Sequence, residues 1–209
     1  MSIAKPTSEY IRQLADPDAE RRAHAAFDLS RNGAARAADF LAGWMKDEEF
    51  RALVVQEKSA HQSGEGDLVV RLTTGIAVSP ETFKNIRAAN GSPALADVPA
   101  DQDALEFELE FEKKSMPPAR LDILTTNAPG ANGAIARFLA KFGEGIQQIE
   151  IDVKNVDRAT EILHAQFKQD TIYPATRPGA NGTRVNFFLV PDATQKKVLV
   201  ELVEQPRNH

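Results

Sequence analysis

Residues 146–204 read IQQIEIDVKNVDRATEILHAQFKQDTIYPATRPGANGTRVNFFLVPDATQKKVLVELVE. The β-prone run at 146–153 predicts a strand. Val156, Ala159, Ile162, Leu163 and Phe167 then recur at helical spacing and predict a helix over 156–167. Runs at 171–175, 183–190 and 198–203 predict three further strands, separated by polar turns containing Gly and Pro. The plan is therefore strand, helix, three strands. Working outward, residues 67–125 repeat it. LVVRL at 68–72 and GIAV at 75–78 lead into Ser79-Pro80-Glu81, a helix entry with Ser as cap and Pro in the first turn. Phe83, Ile86 and Ala89 share one helix face, which ends at Gly91. Residues 93–99 predict a short edge strand, and 120–125 another strand. Between them LEFELEFE at 105–112 alternates strictly, so Leu105, Phe107, Leu109 and Phe111 share one face and Glu106, Glu108, Glu110 and Glu112 the other. A short helix at 134–142, with Ile135, Phe138, Leu139 and Phe142 on one side and Gly143 at its end, joins the two copies.

Upstream the character differs. Residues 7–49 are rich in Ala and Arg and predict helices. Asp16-Pro17 signals a helix start and Asn32-Gly33 a stop. Ala37, Phe40, Leu41, Trp44 and Met45 then form the packing stripe of a second helix. The pair resembles one unit of a HEAT-like helical repeat. From Phe50 the β-prone run Leu53-Val54-Val55 opens the strand-rich part.

Composition narrows the function classes. The 209 residues carry 25 Lys and Arg against 30 Asp and Glu, a formal net charge of −5, with 42% hydrophobic residues. This excess of acids, with no stripe of basic and aromatic residues, argues against nucleic-acid binding. There is no Cys, which excludes disulfides, thiolate nucleophiles and Cys-type zinc sites. The first residues lack the apolar core of a signal peptide, and no run approaches the length of a membrane span. A cytoplasmic protein is expected.

Two βαβββ units in one chain are the architecture of the vicinal oxygen chelate superfamily, which includes glyoxalase I, extradiol dioxygenases, bleomycin-resistance proteins and methylmalonyl-CoA epimerase. FLAKFGEGIQQI at 138–149 resembles the epimerase signature in which a short helix leads through Gly-Glu-Gly-Ile into His-His-Ile. RPGANGTRVNF at 177–187 is similar to its loop and penultimate strand, and VLVELVE at 198–204 to its final strand. The resemblance spans about residues 73–204 and is closest from 119 onward. It implies an α+β fold in which paired βαβββ units form a curved mixed sheet around a cup. Residues 1–50 are then a helical appendage and 51–209 a glyoxalase-like domain, with units at about 67–125 and 146–204.

In this superfamily a divalent metal sits in the cup on ligands from the first and last strand of each unit. The resemblance places these positions at Thr73 or Thr74, Asp122, Gln148 and Glu201, where the epimerases have His at the first and third. Oxygen donors suit a hard cation such as Mg²⁺ or Mn²⁺, whereas Co²⁺, Ni²⁺ and Zn²⁺ lose two imidazoles. The expected function is small-molecule binding in a cup degenerate as a metalloenzyme, with Asp122, Gln148 and Glu201 hydrogen-bonded to one another, to backbone or to water. The alternative is a metal-dependent epimerase, isomerase or lyase acting by proton transfer next to a carbonyl or thioester. Glu201 and Asp122 would then hold the metal, and Glu106, Glu108 or Glu110 would serve as base. A scaffold whose helices recruit a partner is a third reading.

The Glu row is either a wetted sheet face or, in this fold, an anionic wall of the cup that attracts cations. The loop at 177–184 is read in two ways as well. Arg177, Gly179, Asn181 and Arg184 cradle a phosphate or CoA tail, or the loop is a tight turn that needs Gly and Asn for backbone reasons. The expected partner is a small molecule, acyl-CoA among the candidates, with the units closing on each other or across a homodimer. His24, His164 and His209 lie away from the cup, and His61 reaches it only if its loop folds inward.

Overall fold

The computed structural model describes residues 6–58, 68–114, 116–130 and 132–206. Three helices come first, α1 (Thr7–Gln13), α2 (Ala19–Trp44) and α3 (Glu48–Leu53), followed by β1 (Gln56–Lys58) and β2 (Leu68–Val70), which pair antiparallel. The first repeat is β3 (Leu72–Ala77), α4 (Pro80–Ala89), β4 (Leu105–Phe111) and β5 (Ala119–Thr125). After α5 (Ala134–Phe142) the second repeat runs β6 (Gly145–Asp152), α6 (Val156–Phe167), β7 (Arg177–Pro178), β8 (Arg184–Pro191) and β9 (Lys197–Glu204). The seven strands β3 to β9 form one mixed sheet in the order β4-β5-β3-β6-β9-β8-β7. The first strands of the two repeats, β3 and β6, lie antiparallel at its centre. Each carries the last strand of its own repeat on its outer side in parallel, β5 on β3 and β9 on β6. The duplicated order in the sequence thus becomes an approximate twofold in space, and the right-handed strand twist curls the sheet into a half-barrel. The fold class is α+β, as the repeat implied.

Local chemistry sets the helix starts. Asp18, two residues beyond the expected Asp16, accepts from the Glu20 and Arg21 amides at 2.8 and 3.4 Å and caps α2. Asp47 caps α3 through the Phe50 amide at 2.8 Å, which draws Leu53 into a helix instead of the expected strand. Ser79 caps α4 with Pro80 in the first turn, and Asn155 caps α6.

Two predicted strands are absent from the sheet. In 93–99 the Ala96 amide makes one bond to the Glu106 carbonyl, 3.0 Å, but Pro93 and Pro99 lack donors and no ladder follows. In 171–175 pairing is confined to Thr171 opposite Phe188 and the Ile172 amide on the Phe187 carbonyl. Pro174 interrupts it, and the edge pairing resumes at β7, Arg177 opposite Val185. Among the described residues no helix is long and apolar enough to cross a membrane.

The helix pair expected from Asn32-Gly33 is instead one continuous 26-residue helix, α2. Gly33 has a packing role there. A Cβ at this position would lie 2.2 Å from Thr74 Oγ1 and 2.8 Å from its Cγ2, so Gly is what lets α2 lie against β3. Beyond this contact, Ile11, Leu14, Phe27 and Leu29 share a core with Phe83, Ile86, Phe107 and Leu121. At the other end, Leu41, Trp44 and Phe50 share one with Ile149, Val200 and Phe188. All these sheet residues lie on the convex face, which leaves the concave face to form a cup.

Gly33→Ala is therefore expected to destabilise. In a solvated helix interior the change gains about 0.5–1 kcal/mol, but here the methyl meets Thr74 and overpacking costs about 1–3 kcal/mol. Urea unfolding measures the sign, and Thr74→Ala in the same chain should restore the loss. A Gly33→Ala protein more stable than the parent would refute the close approach.

Candidate functional site

The concave face encloses a cavity of about 760 Å³. Register decides which side chains enter it, because residues directly opposite in neighbouring strands point to the same face. In one row across the sheet Phe187 stands opposite Glu201, Glu201 opposite Glu150 and Glu150 opposite Thr73. In the next row Gln148 and Asp122 flank Gly75, with Glu108 beyond Asp122. Glu106 stands opposite Leu124 one step further.

Of the positions that the resemblance marks for a metal or a base, Thr73, Asp122, Gln148, Glu201, Glu106, Glu108 and Glu110 line this cavity. Thr74 does not; it faces α2 at Gly33. Glu150 also lines the cavity, and sequence reasoning passed over it. The signal was present, since Gln148, Glu150 and Asp152 alternate along one strand.

Two local features sharpen the floor. Gly75 has no side chain because a Cβ would come within 2.4 Å of Gln148 Cγ. A bulge shifts the β3–β6 register between Gly75 and Ile76, leaving Gln147 without an opposite residue. As a result Gln147 and Gln148 both line the cavity. Gln148 Nε2 donates to Glu201 Oε2 at 2.6 Å and to Glu150 Oε1 at 3.1 Å, tying the two carboxyl groups together. Asp122 is 5% exposed, and its Oδ1 has no hydrogen-bond partner; neither has Gln147 Oε1. Of the expected network, then, Gln148 and Glu201 are joined, while Asp122 Oδ1 stands outside it.

Five carboxyl groups, those of Glu106, Glu108, Asp122, Glu150 and Glu201, thus crowd one floor, and no Lys or Arg among the described residues is ion-paired with any of them. Burial pushes Glu150 up to about 8, against the Gln148 hydrogen bond and with help from the charges of Glu106 and Glu108. Burial, then the neighbouring Glu108, lifts Glu106 to about 7. Asp122 and Glu201 are raised well above the carboxylate range, first by burial and then by Glu150 and Glu106. Of the arginines that line the cup, Arg137 donates to the Asn132 carbonyl at 2.7 Å and the others are engaged by acids. Arg120 bonds Glu57 at 2.7 Å and Glu110 at 3.1 Å. Arg71 pairs with Asp152 at 2.7 Å.

The loop at 177–184 is only partly at the cup. Arg177, Gly179 and Asn181 line it. Arg177 pairs with Asp101 and lies 4.4 Å from the centre of the Tyr173 ring. Asn181 takes a left-handed conformation, φ 53°, and joins Asp97 through its amide and its Oδ1, both at 2.9 Å. Arg184 turns away and pairs with Asp157 at 2.6 Å and Glu204 at 3.1 Å, beside the N-terminus of α6. Its guanidinium is held by those two acids instead of facing a phosphate in the cup.

The donor set does not fit a transition metal. No imidazole of the described residues lines the cup: His24 sits on α2 beside Asp28 at 3.7 Å, and His164 on α6 beside Asp170 at 3.2 Å. His61 and His209 lie outside the described residues. Among the described residues no three His, Cys, Asp or Glu side chains are arranged to hold a metal ion. Chemically the floor is a cluster of acceptors and of acids, of which Glu106, Asp122, Glu150 and Glu201 hold their protons more tightly than ordinary carboxyl groups.

No family model matches the chain, and no curated protein matches it either. Solved structures do. The methylmalonyl-CoA epimerase of Mycobacterium tuberculosis is 28% identical with a TM-score of 0.52, covering 65% of this chain and 87% of that one. A variant of the Streptomyces coelicolor methylmalonyl-CoA epimerase in complex with 2-nitronate-propionyl-CoA is 25% identical, TM-score 0.52, covering 65% and 96%. A methylmalonyl-CoA epimerase in complex with methylmalonyl-CoA and NH₄⁺ is 26% identical, TM-score 0.51, covering 64% and 92%. These epimerases belong to the vicinal oxygen chelate superfamily, and the curled sheet of this chain has their glyoxalase-like fold.

Proposed function

With the vicinal oxygen chelate fold as the premise, we propose that this protein binds a small molecule in its cup and does so without a transition metal. The observation that carries this is the floor itself. Where the resemblance implies imidazole, Thr73 and Gln148 supply a hydroxyl and an amide, and the Gln148 amide is engaged with Glu150 and Glu201. A borderline metal gains little from such donors, and an acyl group bearing its own carboxylate meets five carboxyl groups. Without a Lewis acid an enolate loses several kcal/mol of stabilisation, and each 1.36 kcal/mol is about tenfold in rate. Arg177, Gly179 and Asn181 at the rim then contact the bound molecule, and Arg184 serves structure.

Metal analysis and isotope exchange test this together. After dialysis against Co²⁺ or Zn²⁺ and then buffer, the protein should retain far less than one equivalent. It should also catalyse no solvent deuterium exchange into methylmalonyl-CoA. Stoichiometric metal, with exchange that vanishes in Glu201→Gln, would establish the opposite.

One observation favours a second reading, an epimerase-type enzyme moving a proton next to a carbonyl or thioester. Glu106 and Glu150, raised to about 7 and about 8 on the same cup face, have the proton affinity that general bases need near neutral pH. The exchange experiment decides between the two.

A further inference from the structure

We propose that the ligand of the cup is an organic ammonium, a protonated amine with at least one N–H and an apolar body. The inference rests on the small-molecule reading above and names the ligand class. Its first support is charge: five carboxyl groups share the floor, with mutual repulsion between them and no cation paired to them among the described residues. A positive centre placed there offsets that repulsion.

The second support is independent of charge and concerns hydrogen-bond valence. Asp122 is 5% exposed, and its Oδ1 is buried with no partner; Gln147 Oε1 is equally unpartnered and borders the same cavity. Leaving a buried acceptor unsatisfied costs about 1–3 kcal/mol. The third buried atom without a hydrogen bond, Arg71 Nε, is ion-paired with Asp152 at 2.7 Å, whereas the Asp122 carboxylate and Gln147 Oε1 are acceptors. What completes them is a donor, so the cation must bring N–H groups. A quaternary ammonium has the charge but no hydrogen to give.

The third support is the size and wall of the cavity. A volume of about 760 Å³ far exceeds an ammonium head. Tyr173 and Phe187, in edge contact with centroids 5.9 Å apart, border it together with Ile172, which is 44% exposed. An aromatic or aliphatic body packs there while the head reaches the floor. Arg177 over Tyr173 is neutralised by Asp101 and leaves this wall without excess positive charge.

Calorimetric titration of the full chain at low ionic strength and pH 7.5 tests the proposal with three matched probes, phenethylamine, N,N,N-trimethylphenethylammonium and 3-phenylpropionate, and with methylmalonyl-CoA as a fourth ligand. Phenethylamine should bind one to one, at least about tenfold tighter than its trimethyl counterpart, and 3-phenylpropionate should not bind. Asp122→Asn, near-isosteric, should weaken phenethylamine about tenfold or more. Should that variant fail to fold by circular dichroism, Gln147→Leu provides the second readout and should narrow the gap between the amine and its trimethyl form. The proposal is overturned if phenethylamine does not bind, if the trimethyl form or the anion binds as well, or if both variants leave its affinity unchanged. Binding of 3-phenylpropionate or methylmalonyl-CoA in place of the amine overturns the ammonium and leaves the small-molecule cup standing; no binding by any of the four removes both.

Discussion

Raising the pH from 6 to 9 is expected to lower the thermal unfolding temperature of this protein by roughly 5–10 °C, and Glu150→Gln to recover a large part of that loss. The cause is the carboxyl floor. Glu150 is held at about 8 against an ordinary 4.5, and Glu106 at about 7, because burial and neighbouring acids penalise their charged forms. In the unfolded chain the same groups ionise near 4.3. Between these values the native state binds more protons than the unfolded state, so stability falls as pH rises. The protonated floor contributes fully below the unfolded value, and its contribution is lost as pH climbs through about 7 and 8. One group titrating out of step changes stability by at most 1.36 kcal/mol per pH unit. Because the cup opens to water on one side, screening reduces the total to roughly 2–3 kcal/mol, which for a chain of this size is several degrees. Gln at 150 still accepts from Gln148 but cannot ionise. The variant should therefore match the parent near pH 5 and exceed it above pH 8. A melting temperature that rises over this range, or an equal slope in the variant, contradicts the raised acids.

Trp44→Ala should cost about 3–5 kcal/mol, the usual range for deleting a buried aromatic core side chain. Trp44 is 2% exposed on α2, with Phe40 at 4.9 Å and Phe50 at 5.7 Å between ring centroids, and it belongs to the core that holds Ile149, Val200 and Phe188. A void there removes contacts from the helices and from β6, β8 and β9 at once. We accordingly propose that the division near residue 50 marks a change of sequence character, and that both parts unfold together. As the only Trp, Trp44 reports on the helices of the parent protein by fluorescence. Its urea transition should coincide with that of the whole chain by circular dichroism, and the variant should unfold in one transition at much lower urea. Helices that melt first in the parent, or a variant that loses less than about 1 kcal/mol, would show a loosely attached appendage.

The fold was legible because its signals are local and periodic. Strict alternation in β4 placed Glu106 and Glu108 on one face and Phe107 and Leu109 on the other, and the structure keeps that split. The repeated order of strands and helices carried the half-barrel, since each repeat supplies a central strand and a parallel partner. Acids on the candidate site were legible one strand at a time: Asp122 and Glu201 from the resemblance, Glu106 and Glu108 from alternation. Their meeting was not, because it depends on which residue stands opposite which across strands far apart in sequence. Only register brings Glu150 between Thr73 and Glu201, and only the bulge turns both Gln147 and Gln148 into the cup. Gly33 looked like a helix stop because propensity sees a missing Cβ as lost helix stability. The tertiary structure makes the same absence a contact surface for Thr74. The strand expected at 171–175 failed for a related reason, since its residues favour extended backbone but Pro174 breaks the ladder that β8 offers. Residue type and period thus determined the elements and their faces, whereas the acidity of the floor, its unpartnered acceptors and the diversion of Arg184 to Asp157 and Glu204 arise from long-range proximity, which no local pattern encodes.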